Sequence, residues 1–259
     1  MARRWTSEEE GVYRKELHTL YVTQNRTISE VARHLGISEK TVFQRLGRLN
    51  IPTAPSRKSR YRNRRQDVSV PPPSATLAEF IGILLGDGSI SHFQTKVTLG
   101  SKEYSYVQYV QQLMTKLFRA QATIFQKNTG HYEVYLGSTQ ITTWLLAMGL
   151  ARNKVAAQVD VPPWIMARRE LEKACLRGFF DTDGGIYALR FGVQISFKNR
   201  SLPLLWSLRS ALLRLGYTPS AVSGKAVYLT RREDVDRFFT EIRPANPKHV
   251  ERYTAFRKA

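Results

Sequence analysis

Apolar residues in the first fifty positions recur every three or four residues, the spacing that buries one face of a helix. The stretch 7–22 shows this spacing after an acidic first turn, and 27–49 shows it in two short runs separated by Gly36. Ser38 stands just before the second run, where a serine can cap a helix. The pattern predicts a small all-α domain over residues 1–52, with a tight turn between its last two helices.

The helical spacing stops in residues 53–76, which we predict to be a linker. A proline triplet, Pro71 to Pro73, favours an extended backbone that resists packing. A basic run precedes it, made up of Arg57, Lys58, Arg60, Arg62, Arg64 and Arg65. A run of charge is often only solvated, but this one joins two folded units, and we expect it to follow the phosphates of a nucleic acid along a groove.

From Leu77 onward the hydrophobic and polar pattern occurs twice. The segment FIGILLGDGSI at 80–90 aligns with LRGFFDTDGGI at 176–186, and KVTLGSK at 96–102 aligns in the same register with VQISFK at 193–198. Each copy continues with a helix, a polar hairpin and a second helix. Agreement at one Asp-Gly pair could be chance, but agreement along a whole unit indicates duplication. We therefore predict an α+β fold of two αββαββα repeats, 77–169 and 170–259.

Composition adds a partner to this picture. The chain has 259 residues, 42% of them hydrophobic, and a formal net charge of +19. This composition is typical of a globular protein, and the charge favours a polyanion such as DNA as partner. Because we find no signal sequence, apolar span or lipidation motif, we expect a cytoplasmic, nucleoid-associated protein without membrane contact. The single cysteine, Cys175, excludes a disulfide framework, and the scattered histidines show no ligand spacing.

The repeated segments resemble the paired motifs of the LAGLIDADG homing endonucleases. The second copy is close to the family pattern at Leu176, Gly178, Asp181, Asp183 and Gly184. The first copy is looser, since Phe80 opens it and Leu85 stands at the position of the first acid. The resemblance implies two motif helices packed side by side and a saddle of antiparallel strands over double-stranded DNA. It also implies that Asp87 and Asp183 are catalytic, and that one chain acts as a monomer.

The residue types agree with that arrangement. Small residues four apart, Gly82 with Gly86 and Gly178 with Thr182, allow two helices to approach closely. Close approach brings two carboxylates to the negative ends of two helix dipoles, which is unfavourable without a cation. Mg²⁺ or Mn²⁺ would resolve the conflict, with Asp87 and Asp183 as ligands and Gly86 and Thr182 beside them. The implied reaction is metal-dependent phosphodiester hydrolysis on both strands.

Further residues are assigned from position. Lys102 and Lys198, expected at equivalent strand ends, are candidate catalytic lysines, with Lys225 and Arg232 as rivals. The position of Asp181 is acidic only in the second repeat, because Leu85 stands there in the first, so we expect a structural role for Asp181. The expected strand faces for DNA readout contain Lys96 and Thr98 in the first repeat and Gln194 and Ser196 in the second.

The N-terminal pattern resembles the helix-turn-helix family of DNA binders, in which the second helix of the motif enters the major groove. The resemblance places five residues on the outer face of that helix: Lys40, Thr41, Gln44, Arg45 and Arg48. A plain three-helix packing module is the alternative.

Two other functions fit the same basic, duplicated chain. A transcription regulator could use the fold only to bind DNA, although binding alone does not need two carboxylates facing a polyanion. An intron RNA maturase would show the same charge. An intein is not expected, because a start of Met-Ala-Arg and an end of FRKA lack the junction residues of protein splicing.

Overall fold

The computed structural model describes residues 5–51, 53, 68–190 and 192–258. The chain divides into two compact units, Met1–Arg62 and Asn63–Ala259. The six basic residues predicted to follow DNA between them, Arg57, Lys58, Arg60, Arg62, Arg64 and Arg65, lie outside the described residues.

The first unit contains the three predicted helices. They are α1 (Ser7–Leu17), α2 (Ile28–Leu35) and α3 (Glu39–Arg48), and α1 continues into a π-helical segment, His18–Thr23. Gly36 ends α2 at φ 65°, a left-handed conformation that glycine adopts without strain. The Ser38 side chain caps α3 by accepting from the Thr41 N–H. The core of the unit contains Leu17, Val31, Val42 and Leu46, all fully buried.

The second unit begins with the first repeat. Its elements are α4 (Ala75–Leu85), β1 (Gly88–Ile90), β2 (Gln94–Leu99), α5 (Tyr104–Phe118), β3 (Thr123–Gln126), β4 (Tyr132–Gly137) and α6 (Thr139–Ala147). The strands form an antiparallel sheet in the order β1-β2-β4-β3, in which Lys96 pairs with Tyr135 and Thr98 with Glu133. This is the predicted αββαββα order.

The second repeat departs from that order in one place. Its elements are α7 (Arg169–Asp183), β5 (Gly184–Leu189), β6 (Gly192–Lys198), α8 (Leu202–Arg214), β7 (Ala226–Leu229), α9 (Arg232–Glu241) and α10 (Pro247–Lys258). The predicted second hairpin is a single strand, β7, which extends the sheet β5-β6-β7. The seven residues 223–229 are too few for two strands and a turn, so only an isolated bridge joins Ser223 to Ala226.

Helix α10 was not predicted, although Asn246 followed by Pro247 is a pattern typical of a helix start. Within the described parts of the chain, no helix is long and apolar enough to cross a membrane.

Helices α4 and α7 pack against each other at the centre of the second unit, as the small-residue spacing predicted. A Cβ added to Gly82 would collide with the Cys175 carbonyl, and one added to Gly178 would collide with the Glu79 carbonyl. The two backbones are therefore in direct contact at these glycines. One continuous hydrophobic core runs through both repeats around this helix pair.

Candidate active site

The acids of the two repeats lie at the carboxyl ends of α4 and α7. Asp183 is the last residue of α7, and Asp87 lies two residues beyond the end of α4. The Asp87 carbonyl accepts a hydrogen bond from the Thr98 N–H at 3.2 Å, which fixes this turn to β2. The Asp87 side chain is exposed to solvent and that of Asp183 is half-buried. Both carboxylates therefore reach the surface where the two helices end.

The surroundings of the two acids raise their pKa values. Desolvation by the surrounding protein, followed by the charge of Asp183, raises the pKa of Asp87 to about 6. Solvent on the open side of Asp87 moderates this effect. Desolvation also raises the pKa of Asp183, while the charge of Lys154 and a hydrogen bond from Asn199 oppose the rise. The two carboxylates thus repel each other, as the sequence argument expected.

Lys154 supplies a cation to this site and was not identified from the sequence. Its Nζ donates to the Leu84 carbonyl at 2.8 Å and to the Leu85 carbonyl at 3.2 Å, and also to the Gly86 carbonyl. These are carbonyls that the end of α4 leaves without helical partners. The ammonium therefore neutralises the negative end of the α4 dipole next to the two acids.

Asn199 orients Asp183. Its Nδ2 donates to the Asp183 carboxylate at 2.9 Å, and its Oδ1 accepts from the Ser201 N–H at 2.9 Å. The Asn199 N–H donates to the Lys225 carbonyl at 3.1 Å. With three of its polar groups occupied, Asn199 holds the Asp183 side chain in one orientation.

The start of α10 lies close to Asp87. Lys248 forms an ion pair of 2.5 Å with Glu103, and its charge lowers the pKa of Asp87. Asn246 Nδ2 donates to Glu103 at 2.9 Å and to the Asp181 carbonyl at 3.0 Å, so this segment connects both repeats. The only sequence signal for this segment was the Asn-Pro helix start.

Asp181 has contacts typical of a structural acid. It is fully buried, and its carboxylate accepts from the backbone N–H groups of Ala245 at 2.9 Å and Asn246 at 3.1 Å. Burial raises the pKa of Asp181 to about 7. Its carboxylate anchors the segment before α10.

The structure separates the two lysines that were predicted to be equivalent. Lys198 ends β6 and lies 5.3 Å from the centre of the Tyr187 ring. Lys102 lies in a turn three residues beyond β2, so its placement at a strand end is wrong. The physical reason is that the Glu103 carboxylate accepts from the Gly100 N–H at 2.7 Å, which closes a turn before α5. Of the two rivals, Lys225 lines the same depression as Asp183, whereas Arg232 lines a different cavity.

The chemistry of the donor atoms fits a hard divalent cation. The two carboxylates are close enough to interact electrostatically, and the carbonyl end of α4 already accepts the Lys154 ammonium, which shows that it attracts a cation. The Thr182 hydroxyl donates to the carbonyls of Gly178 and Phe179, both at 3.1 Å, so its proton is shared within α7. Among the described residues, no three or more His, Cys, Asp or Glu side chains are grouped to hold a metal. A pair of carboxylates suits Mg²⁺, which keeps several water ligands.

The predicted DNA-reading faces are only partly open. Lys96 and Thr98 lie on the face of β2 opposite Val97 and Leu99, and Lys96 pairs with Glu133 at 2.8 Å. Gln194 in β6 is half-buried. Ser196, however, is 1% exposed, so its placement on an open face is wrong. Its strand partner is Gly185, and the Tyr187 ring folds over that glycine.

The outer face of α3 also differs from the prediction. Lys40 and Gln44 are exposed, and Thr41 is half-buried against the cap of the helix. Arg48 forms an ion pair with Glu10 at 2.6 Å, and Arg45 lies 5.2 Å from the centre of the Trp5 ring. Both arginines therefore already contact other residues of the first unit. Phe43, which is 58% exposed, lies on the open face instead.

Comparison with known families agrees with this duplicated arrangement. Residues 77–159 match the WhiA LAGLIDADG-like domain, and residues 170–243 match the LAGLIDADG-like domain. The two matches together cover more than half of the chain and coincide with the two α+β repeats. The chain therefore contains two LAGLIDADG-like domains, one in each repeat.

Individual similar proteins are more distant. The replication factor C small subunit of Methanocaldococcus jannaschii (strain ATCC 43067 / DSM 2661 / JAL-1 / JCM 10045 / NBRC 100440) is 30% identical over 143 residues. Those residues are 54% of this chain but only 7% of that protein. Variants of the homing endonuclease I-DmoI are 16% identical, with a TM-score of 0.47 over 65% of this chain and 94% of theirs. The N-terminal LAGLIDADG domain of DUF199/WhiA is 14% identical, with a TM-score of 0.49 over 67% of this chain and 84% of its own.

The pKa of Asp87 predicts a pH-dependent stability. The pKa is about 6 in the folded protein against 3.8 ordinarily, so between these values the folded state keeps a proton that the unfolded chain has released. The stabilisation is complete below about pH 4 and is lost as the pH rises through about 6. Asp87→Asn should raise the free energy of unfolding at neutral pH by about 1 kcal/mol, allowing for solvent screening. Urea unfolding at about pH 4 and about pH 7 tests this, because the gain should appear only at the higher pH.

Proposed function

We propose that the protein is a site-specific endonuclease that hydrolyses both strands of double-stranded DNA with the help of a divalent metal ion. The observation that carries this proposal is the pair Asp87 and Asp183. They occupy equivalent positions of two repeats, meet where α4 and α7 end, and both reach solvent. A protein that only bound DNA would gain nothing from two carboxylates facing a polyanion.

Each residue of the site has a part in the proposed reaction. Asp87 and Asp183, with the carbonyl oxygens of Gly86 and Thr182, would hold Mg²⁺ or Mn²⁺. The bound ion would supply Lewis-acid stabilisation of the charge that develops on the phosphate. Asn199 keeps the Asp183 carboxylate oriented, and Lys154 offsets the negative end of α4 so that Asp87 can stay ionised.

The rest of the second unit would position the DNA. The net charge of +19 favours binding to the phosphate backbone. Lys96 and Thr98 on the first sheet and Gln194 on the second would face the bases, with Glu133 holding Lys96 in place. Because one chain supplies both acids and both sheets, we propose that it acts as a monomer.

A DNA-binding regulator without nuclease activity is the second candidate. The observation that favours it is the match of residues 77–159 to the WhiA LAGLIDADG-like domain. In that case the two acids would be retained without catalytic use.

Library cleavage separates the two functions. A plasmid library carrying random inserts is incubated with the protein, with Mg²⁺ or with EDTA, and all new ends are sequenced. The endonuclease predicts recurrent ends at one sequence with Mg²⁺ alone. Selective retention of one sequence without any cut would support the regulator, and binding to structured RNA but not to duplex DNA would support the maturase alternative.

We also propose that the first unit binds DNA through the exposed face of α3. Replacing both Lys40 and Gln44 by alanine should weaken binding to the selected target about tenfold, because one phosphate or base-edge contact contributes about 1–3 kcal/mol. The matched control is Lys15→Ala, which removes an exposed lysine from α1 instead. Fluorescence anisotropy over a salt series measures both variants. Equal affinities of the double variant and the control would assign the first unit another partner.

A further inference from the structure

A depression of about 430 Å³ lies beside Asp183 and is lined by cations from three separate segments. Lys154 comes from the segment between α6 and α7, Lys198 and Arg200 from the end of β6, and Lys225 from the turn before β7. Asp183 and Asn199 line it as well. Lys198, Arg200 and Lys225 form no ion pair with any carboxylate of the described residues. The depression thus places several positive charges next to one carboxylate.

The turn that carries Lys225 is built in an unusual way. Gly224 and Lys225 have φ values of 55° and 63°, and Ser223 and Ala226 exchange two backbone hydrogen bonds of 3.0 and 2.9 Å. A lysine in this left-handed conformation is less favourable than a glycine would be. The Asn199 N–H holds the Lys225 carbonyl, so the turn is fixed to the same residue that orients Asp183. This strained turn places the Lys225 side chain at the depression.

The other acid has different neighbours. Lys248, the cation whose charge acts most strongly on Asp87, is paired with Glu103 at 2.5 Å. Asn246 also donates to Glu103. Lys154 and Lys248 act on both acids, whereas Lys198, Arg200 and Lys225 line a depression that includes Asp183 and not Asp87. The two acids therefore have different cationic neighbours, although they occupy equivalent positions of the two repeats.

We propose that this depression binds a backbone phosphate of one DNA strand, and that the strand held there is cut first. The proposal rests on the proposed endonuclease function and adds an order to its two cuts. In each cut a water oxygen bonds to phosphorus, the bond from phosphorus to the 3′ oxygen breaks, and a proton passes to that oxygen. The products are a 3′ hydroxyl and a 5′ phosphate. Because the phosphate beside Asp183 is held by more unpaired cations, a nicked duplex should accumulate before the double-strand break.

Lys225→Gly tests the proposal with a substitution that should also stabilise the folded protein. It removes one cation and one left-handed lysine, so the protein should melt about 2 °C higher while it binds DNA less well. The matched control is Arg119→Gly, because Arg119 is an exposed cation with φ 50° outside the depression. Arg200→Ala is a second variant in the depression and leaves the turn unchanged.

The measurement uses a short target duplex with a different dye on each strand. The unmodified protein should nick one strand several times faster than the other, and Lys225→Gly and Arg200→Ala should slow that first cut about tenfold. Arg119→Gly should leave both rates unchanged. The salt dependence of binding should fall by about 0.9 in log–log slope for the two depression variants only. Equal cutting rates of the two strands by the unmodified protein, or a first cut that Lys225→Gly leaves at the rate of Arg119→Gly, would overturn the order of cuts.

The same series separates this proposal from the endonuclease function. If no duplex is ever cut, the endonuclease function fails, and the order of cuts fails with it. The salt dependence of binding to a mixed-sequence duplex then still tests whether the depression binds a phosphate. An unchanged slope in Lys225→Gly and Arg200→Ala would show that the depression does not bind phosphate.

Discussion

Asp87→Asn and Asp183→Asn should each abolish double-strand cleavage and leave DNA binding intact or tighter. Each change removes one of two carboxylates that would hold the metal ion. Loss of even an outer partner of a metal ligand costs about 10–100-fold, so loss of a ligand should lower the cutting rate by at least about 100-fold. Binding should hold or improve because repulsion between the carboxylate and the DNA phosphates is relieved. Strand-resolved cleavage assays and anisotropy on one target measure both effects.

The control for these variants is Asp160→Asn, which removes an exposed carboxylate from the segment between α6 and α7. It should cut like the unmodified protein. If both Asp87→Asn and Asp183→Asn cut at the parental rate, the assignment of the active site is wrong. A parallel loss of binding and cutting, with a lower melting temperature, would indicate unfolding instead.

The close contact of α4 and α7 could be predicted because it depends on residue size alone. Gly82 and Gly178 have no side chain, and each is followed four residues later by another small residue on the same side of its own helix. The register of the duplication then placed Asp87 and Asp183 at corresponding positions. Each of these inferences uses a short stretch of sequence, so neither depends on the path of the rest of the chain.

The cations of the site could not be predicted in this way. Lys154 lies in the segment between α6 and α7, and Lys248 lies in α10, so neither belongs to an element of the αββαββα order. Their contacts depend on how the tertiary structure brings these segments back to the ends of α4 and α7. Aligning the two motif segments therefore does not identify these lysines. The repeat comparison instead selected Lys102, which an intervening turn displaces from the strand end.

Side-chain pairing explains the other differences. The helix-turn-helix resemblance put Arg45 and Arg48 on the outer face of α3, but Trp5 and Glu10 from the start of the chain contact them there. Strand alternation put Ser196 on the outer face of β6, but the ring of Tyr187 covers its neighbour in β5. Periodicity predicts which face a residue takes, and only the tertiary structure shows what covers that face.

Gly178→Ala should strongly destabilise the second unit. The new Cβ would meet the Glu79 carbonyl in the backbone of α4, and neither helix can move without opening the core that both repeats share. Overpacking commonly costs about 1–3 kcal/mol, and a collision with backbone lies at or above the upper end of that range. For a unit of this size, about 3 kcal/mol corresponds to a fall of about 10 °C in melting temperature.

Gly137→Ala is the matched control, because a Cβ there would meet only the Phe93 carbonyl at 3.9 Å, an ordinary contact. It should melt close to the unmodified protein. Any Gly178→Ala protein that remains folded should also lose cleavage, since separating α4 from α7 moves Asp87 away from Asp183. Calorimetry and cleavage of the same samples give both readings. A Gly178→Ala protein that melts with the control would show that α4 and α7 are not in backbone contact, and the geometry that brings the two acids together would then be wrong.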